Sequence, residues 1–227
     1  MRVSANRWRR AQKKEADFWV KGVFETQMAR VKNRYQSSVN QVGNYMDSDA
    51  TVLEMGSGPT CLAQFFKKGY KVYLDPLMDT YKYHYSKVLP EDGLFIKGIG
   101  EKLPFKNACF QVVVSVNALD HMRNPGKVLD EIFRILKSGG YLLLGLFTHH
   151  AFLALMRKLA EKSVIFREIA HPHSFSKGDI LKLLYEKRFT IISENCVDGR
   201  ESIFSLHRRD HVIICQKYPK DKPYGCL

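Results

Sequence analysis

The stretch VLEMGSGPTCLA, residues 52–63, decides the fold of this chain. It begins as a short apolar strand, carries a carboxylate at Glu54, and turns through Gly56 and Gly58. Glycines in such a turn let the backbone approach a ligand closely, at the carboxyl end of the first strand of an α/β sheet. A turn that receives a pyrophosphate gains nothing from a nearby negative charge, whereas a turn that receives a cationic, amino-acid-like ligand does.

Strand and helix patterns alternate after residue 50. Short apolar runs predict five strands, at residues 51–55, 71–75, 93–98, 110–116 and 141–147. Helical segments separate these runs, so the strands should form a parallel sheet with helices on both faces. The closing runs FTIISENCV and DHVIICQK have only a short connection and should pair antiparallel. The sequence therefore predicts a doubly wound, mostly parallel α/β sheet of seven strands with an antiparallel C-terminal pair.

Local signals place several helices. The segment LAQFFKKG, which follows the glycine turn, is predicted to be helical. Asn124 and Pro125 are typical of a helix start, and Gly139-Gly140 should end that helix. Further helices are predicted at residues 151–161 and at residues 177–187, the latter capped by Ser176.

Residues 1–48 are predicted to form a helical arm in front of a domain that covers residues 49–227. Trp8, Ala11, Phe18 and Trp19 should form one apolar stripe, which Glu15 interrupts. The chain carries a net charge of +13, and its first 34 residues hold ten Lys or Arg against three Asp or Glu. This arm is either a solvated face or a surface that attracts an anionic partner, such as a phosphate-bearing substrate, a lipid headgroup or RNA.

The composition excludes several classes of protein. No apolar run is long enough for a membrane-spanning helix, and the basic N-terminus lacks the apolar core of a signal peptide. The five cysteines are scattered and no Cys-x-x-Cys pair occurs. We therefore expect a reduced, cytoplasmic protein without a metal site.

The second strand supplies a further ligand-binding candidate. Asp75 ends this strand 19 residues after Gly56, a distance that suits a carboxylate accepting hydrogen bonds from ribose hydroxyls. A dinucleotide site would have a third glycine where Cys61 stands and an apolar residue in place of Glu54. S-adenosylmethionine has no phosphate and carries a sulfonium and an ammonium group, so a carboxylate at Glu54 favours it.

Four ordered segments resemble the motifs of class I S-adenosylmethionine-dependent methyltransferases of the small-molecule subgroup called type 11: LEMGSGPT, YLDP, GIGEKLPFKNACFQVVVSVNALDHM and EIFRILKSGGYLLL. The resemblance covers roughly residues 50–147. It implies S-adenosylmethionine as cofactor, S-adenosylhomocysteine as product, and cofactor binding by Glu54, Gly56, Ser57, Gly58, Asp75, Pro76, Ile99, Gly100, Glu101 and Asn117. Ile99 replaces the polar residue usual in the family, so backbone groups at Ile99 and Gly100 would read the adenine.

The substrate is predicted from a weaker resemblance. The segments outside the core are similar to methyltransferases found with cell-surface polysaccharide biosynthesis, which implies O-methylation of a sugar or another hydroxylated small molecule. The arm and residues 148–176 would then cover the active site. Two alternatives stay open: RNA methylation that uses the basic termini to hold phosphates, and a non-catalytic module that binds S-adenosylmethionine.

The catalytic candidates follow the fourth strand, where this fold places residues beside the methyl group. His121 is the candidate general base, because imidazole titrates near neutral pH, and Asp120 is the carboxylate that would orient it.

Four other histidines are weaker candidates. His149 and His150 follow the fifth strand near the ligand edge, where at most one of them can point inward. His171 and His173 flank Pro172 and are expected to have surface or capping roles.

Overall fold

The computed structural model describes residues 2–160, 171–197 and 209–218. The strands are β1 Thr51–Met55, β2 Tyr70–Asp75, β3 Leu94–Lys97, β4 Phe110–Val116, β5 Leu136–His149, β6 Phe175–Ser176, β7 Phe189–Cys196 and β8 Arg209–Lys217. The α-helices are α1 Ala5–Val20, α2 Phe24–Gly43, α3 Met78–Tyr85, α4 Pro125–Ile135, α5 Ala151–Ala160 and α6 Lys177–Glu186. Two 3-10 turns cover Leu62–Phe65 and Leu119–His121.

The sheet has the order β3-β2-β1-β4-β5-β8-β7. Strands β1 to β5 are parallel, and β8 runs antiparallel to both β5 and β7. The predicted doubly wound α/β fold with an antiparallel C-terminal pair is confirmed. The two-residue strand β6, which pairs with β5, was not predicted because it is too short to leave a pattern. The strand order reverses between β1 and β4, and ligands of such sheets bind at this reversal.

Alternate residues of each strand supply the cores on the two faces of the sheet, as parallel strands buried on both sides require. On one face, Leu53, Val113 and Leu142 pack with the apolar stripes of α4 and α6. On the other face, Val52 and Val112 pack with α2 and the first 3-10 turn. The second of the two N-terminal helices is thus part of a main core.

The predicted helical character of the N-terminal arm is confirmed by α1 and α2, which are separated by a break around Gly22. Ala11 and Trp19 of α1 are buried, but Phe18 is 42% exposed, so the predicted apolar stripe is wrong at that residue. Hydrogen bonds hold α1 at both ends. The Val3 backbone N–H donates to the Arg123 carbonyl, and the Tyr85 hydroxyl donates to the Trp19 carbonyl.

The helix predicted after the glycine turn is wrong in length, since the structure forms only the 3-10 turn Leu62–Phe65. The chain must return quickly to the sheet, where the Tyr70 N–H donates to the Ala50 carbonyl at 2.7 Å. Few residues remain between the turn and this contact, so a longer helix cannot form.

Helix α4 starts as predicted, with the Asn124 side chain accepting from the Lys127 N–H and Pro125 in the first turn. Its predicted end at Gly139-Gly140 is wrong, because the helix stops at Ile135. The last carbonyls of α4 accept hydrogen bonds from the backbone N–H groups of Ala108 and Cys109, at 3.0 and 2.8 Å. Strand β5 therefore begins directly at residue 136.

Helix α6 confirms the predicted cap: the Asp179 N–H donates to the Ser176 hydroxyl, and the Asp179 carboxylate accepts from the Ser176 N–H. None of the helices among the described residues combines the length and the apolar character needed to cross a lipid bilayer.

Candidate functional site

A cavity of about 670 Å³ lies at the carboxyl ends of β1, β2 and β4, where the strand order reverses. Its volume lies within the range of roughly 300–1,000 Å³ that is typical of small-molecule sites. One part of its wall comes from the loops that follow the strands, and the other from α1 and α2. Every predicted cofactor-binding residue lines it: Glu54, Gly56, Ser57, Gly58, Asp75, Pro76, Ile99, Gly100, Glu101 and Asn117.

Gly56 and Gly58 of the turn differ in what a side chain would contact at each position. Gly56 has φ +70°, and a Cβ added there would lie 2.4 Å from the Cβ of Ala118. A larger residue would therefore push β1 away from the segment after β4. Gly58 has φ +52°, but an added Cβ would meet nothing closer than the Trp19 ring, at 3.6 Å. Gly56 is thus required for packing, whereas Gly58 leaves its surface open beneath α1.

Glu54 holds the glycine turn from beneath. Its two carboxylate oxygens accept hydrogen bonds from the backbone N–H groups of Leu62 and Ala63, at 3.0 and 2.7 Å. Burial raises the pKa of Glu54 to about 8, although the two backbone hydrogen bonds act in the opposite direction. Both oxygens are thus used by the 3-10 turn, and the raised pKa leaves the group largely protonated at neutral pH unless a nearby cation favours the carboxylate.

Asp75 joins the end of β2 to the same turn. One carboxylate oxygen accepts from the Gly58 N–H at 3.1 Å and the other from the Leu77 N–H at 2.8 Å. Burial raises the pKa of Asp75 to about 6, against the effect of these hydrogen bonds. The carboxylate lies in the cavity wall with Pro76 beside it, at the position where a ribose was expected.

The loop after β3 forms another wall of the cavity. The Ile99 side chain is 40% exposed and offers an apolar surface, whereas Gly100 is buried. A Cβ on Gly100 would lie 2.8 Å from the Met55 sulfur, so the loop packs tightly on β1. The Glu101 carboxylate accepts from the Asn124 N–H at 2.9 Å and thereby holds the start of α4.

Asn117 is oriented by a chain of buried groups. The Tyr35 hydroxyl donates to the Asp210 carboxylate, which also pairs with Arg34. Because the Tyr35 proton is used in this way, its oxygen accepts from the Asn117 amide nitrogen, at 3.4 Å. The Asn117 Oδ1 is left buried without a hydrogen-bond partner in the wall of the cavity. It is therefore an unpaired acceptor of a residue that lines the cavity.

Asp120, His121 and His171 form a cluster at the cavity. The Asp120 Oδ2 lies 2.7 Å from His171 Nδ1, and its Oδ1 lies 4.0 Å from His121 Nε2. The other nitrogen of His121 lies 3.8 Å from a carboxylate oxygen of Glu15 on α1. Burial raises the pKa of Asp120, but His121 and His171 together lower it further, to about 2. The structure thus brings the two predicted catalytic residues together with one that the sequence assigned elsewhere.

The expectations for the remaining histidines need correction. His171 was expected to have a surface or capping role, but it lines the cavity. His173 is buried, with its Nε2 2.9 Å from the Met122 carbonyl oxygen, and burial lowers its pKa to about 4. His149 and His150, expected near the ligand, are not among the residues that line this cavity.

The absence of a metal site stays a prediction, but three of the described residues are placed so that they could hold a metal ion. One ligand atom from each of Asp120, His121 and His171 lies within 4.8 Å of the others. No local sequence pattern marks this cluster, because His171 lies 51 positions after Asp120. A search for cysteine and histidine spacings could not have found it.

Residues 53–144 match the model of a protein family described as methyltransferase domain. An uncharacterized methyltransferase of Mycobacterium sp. (strain KMS) is 28% identical over 94 residues, which is 41% of this chain and 37% of the relative. An uncharacterized protein of Methanocaldococcus jannaschii is 30% identical over 121 residues, 52% of this chain and 55% of the relative. The matches thus span between a third and somewhat over half of these curated relatives.

Solved structures agree on the fold. A SAM-dependent methyltransferase of Methanosarcina mazei has a TM-score of 0.59 at 22% identity, covering 78% of this chain and 97% of that one. The 1,6-didemethyltoxoflavin-N1-methyltransferase of Burkholderia thailandensis, with 1,6-didemethyltoxoflavin and S-adenosylhomocysteine bound, has a TM-score of 0.67 at 13% identity. The match covers 96% of this chain and 92% of that one. The resemblance to methyltransferases of type 11 is confirmed over residues 53–144, and the two solved structures support the fold.

The raised pKa of Glu54 leads to a prediction about stability. A carboxyl group whose pKa rises on folding, here from 4.5 to about 8, stabilises the fold fully below the lower value and loses this contribution as pH rises through the higher one. We expect the stability advantage of the wild type over Glu54→Gln to shrink by at least about 1 kcal/mol between pH 5 and pH 8.5.

Urea unfolding at a series of pH values measures this difference. Asp75 titrates in both proteins, so the comparison isolates Glu54. A difference between the two proteins that stays constant over this range would contradict the raised pKa.

Proposed function

We propose that this protein, whose residues 53–144 match a methyltransferase domain, transfers a methyl group from S-adenosylmethionine to a hydroxyl group of a small molecule. A sugar or glycan precursor is the favoured acceptor class. The observation that carries the cofactor assignment is the buried Asn117 Oδ1, which has no hydrogen-bond partner and lies in the cavity wall.

The residues of the cavity fit S-adenosylmethionine. Its ammonium and sulfonium groups are cationic, and the wall beside the glycine turn offers the Asn117 Oδ1 together with the carboxyl groups of Glu54 and Asp75. An ammonium donor would satisfy the Asn117 oxygen, whose burial without a partner is otherwise costly. The exposed Ile99 side chain suits the adenine ring, and Asp75 suits the ribose hydroxyls. S-adenosylhomocysteine bound to the Burkholderia methyltransferase supports the same assignment.

The acceptor would lie under α1 and α2. These helices bring aromatic rings to the cavity at Trp8, Phe18 and Trp19, and cationic groups at Lys14, Lys21 and Arg30. Rings with a few charged groups are suited to a hydroxylated molecule that also carries an anionic group. Of the basic arm, these three cations line the cavity together with Arg34, which pairs with Asp210, whereas Arg9 and Arg10 are exposed and are not among the lining residues. We therefore assign to α1 the role of a cover over the acceptor.

The chemistry needed from the protein is limited. S-adenosylmethionine, when bound, supplies an activated methyl group, so the protein must position the acceptor hydroxyl and deal with its proton. We assign the second task to the cluster of Asp120, His121 and His171. His121 faces the cavity between two carboxylates, with Asp120 and Glu15 on opposite sides of its ring.

The cofactor assignment predicts the effect of changing Asp75. Loss of its charge-assisted hydrogen bonds should weaken S-adenosylmethionine binding by about 1–3 kcal/mol in Asp75→Ala, or roughly 5- to 150-fold. Isothermal titration calorimetry measures this change. Asp75→Asn, which keeps one acceptor for the turn, checks that the effect is not a loss of folding, and Asp79→Ala removes a largely exposed carboxylate as a control. Equal affinities in folded Asp75 variants and wild type would reject the site.

The acceptor chemistry predicts the effect of changing His121. His121→Ala should lower kcat by roughly 10²- to 10⁴-fold, while affinity for S-adenosylmethionine is unchanged. His84→Ala, on the exposed side of α3, is the matched control. A His121→Ala protein that keeps most of its kcat would assign the proton to another group.

If the acceptor is anionic, its binding should depend on three cations of the cavity wall and should weaken as the salt concentration rises. Replacing Lys14, Lys21 and Arg30 by glutamine should raise the KM for an anionic acceptor and leave kcat nearly unchanged, because exposed charges steer binding over a screening length of roughly 8–10 Å. The same three changes at Arg9, Arg10 and Lys13 are the control.

The acceptor itself is found by transfer of a labelled methyl group to pools of sugar nucleotides, lipid-linked glycans and transfer RNA. Label in the RNA pool alone would favour the alternative of RNA methylation. If the rate of methyl transfer to the sugar pools did not depend on salt, the three cations would have no role in acceptor binding.

A further inference from the structure

We propose that Asp120, His121 and His171 bind one divalent transition-metal ion, Zn²⁺ by preference, beside the acceptor part of the cavity. The position of the ion follows from the residues alone. The role that we give it in methyl transfer rests on the proposed function.

The ligand atoms converge from two segments of the chain. Asp120 and His121 belong to the 3-10 turn after β4, and His171 belongs to the segment before β6. One donor atom from each lies within 4.8 Å of the other two, and the two imidazole rings have their centroids 4.4 Å apart. Zinc bonds of about 2.0–2.2 Å would place the donors about 3.4 Å apart at tetrahedral angles. The present separations of 2.7 and 4.0 Å lie on either side of that value.

One atom of the cluster points to a missing cation. The Asp120 Oδ1 is buried and has no hydrogen-bond partner. The Asp120 side chain is only 7% exposed, and a carboxylate buried to this degree is normally paired with a cation or bound to a metal. A metal ion between Asp120 and His121 would compensate the charge of Asp120. It would also fix the ring of His121 so that Nδ1 faces Glu15.

The surroundings orient the ligands as metal sites require. Histidine ligands commonly donate their second ring N–H to a carboxylate, which fixes the ring. Here the His121 Nε2 faces Asp120, and its Nδ1 faces Glu15 at 3.8 Å. Glu15 is itself held by the Trp19 indole N–H, at 2.8 Å. The two segments are joined by the His173 N–H, which donates to the Asp120 carbonyl at 3.2 Å.

The ligand set selects the kind of metal. Two imidazoles and one carboxylate suit Zn²⁺ and other transition metals, whereas Mg²⁺ and Ca²⁺ prefer oxygen ligands alone. Three protein ligands leave a fourth position open, as in catalytic zinc sites. This position faces the cavity that His121 and His171 line.

An acceptor hydroxyl at the open position would become a better nucleophile, because a bound cation lowers its pKa. The hydroxyl proton passes to Glu15 or to water, and the oxygen forms a bond to the methyl carbon. The bond from that carbon to sulfur breaks, with its electron pair remaining on sulfur. His121 then serves as a ligand, and the proton goes to a different group from the one that the sequence predicted.

Metal binding is tested directly on the full chain without any acceptor. Protein stripped with a chelator is titrated with Zn²⁺ by calorimetry, and with Co²⁺ by its visible absorption, which reports the coordination geometry. We expect one equivalent of either ion to bind. His121→Gln and His171→Gln should each weaken binding at least about 10-fold, whereas His84→Gln should bind as the wild type does. Absence of one-equivalent binding, or equal binding in all three variants, would overturn the proposal.

Titration with S-adenosylhomocysteine on the same samples separates this proposal from the proposed function. Cofactor binding without metal binding would reject the metal site and keep the methyltransferase. Metal binding without cofactor binding would keep the site and reject its role in methyl transfer. Full methyl transfer by stripped protein in excess chelator would overturn the catalytic role, and His121 would then stand as the base.

Discussion

Two buried carboxylates, Glu54 and Asp75, determine the shape of the cavity. The turn after β1 has to leave the sheet, pass under α1 and return to β2 within a few residues, which exposes several backbone N–H groups. Glu54 accepts two of them from the 3-10 turn, and Asp75 accepts one from Gly58 and one from Leu77. Leaving buried N–H groups unpaired costs free energy. The two carboxylates therefore stabilise the turn whether or not a ligand is bound. The two residues that the resemblance assigned to cofactor binding are thus also required as acceptors for backbone N–H groups.

The sequence predicted what depends on local pattern. Strand β4 was placed at its observed bounds, and the caps of α4 and α6 were identified because a cap is a relation between residues three positions apart. The ends that tertiary contacts decide were not predicted. Helix α4 stops where the segment before β4 donates hydrogen bonds to its last carbonyls, and the turn after β1 is shortened by the contact between Tyr70 and Ala50.

In the candidate site, too, the sequence predicted what local motifs determine and not what contacts between distant residues determine. All ten predicted cofactor residues line the cavity, because the motifs that carry them lie at the ends of neighbouring strands. His171 was assigned elsewhere because its partner, Asp120, lies 51 positions before it. The orientation of Asn117 could not be predicted either. It depends on Tyr35 from α2 and Asp210 from β8, which the sequence separates by 175 positions.

The position of α1 has a consequence for the timing of turnover. Trp19 lies directly over Gly58, and Glu15 of the same helix reaches His121, so one helix lies against both the cofactor part and the acceptor part of the cavity. The hydrogen bond from the Tyr85 hydroxyl to the Trp19 carbonyl holds this helix in place over both parts. A movement of α1 would uncover both parts at once, so that release of the two products would be timed together.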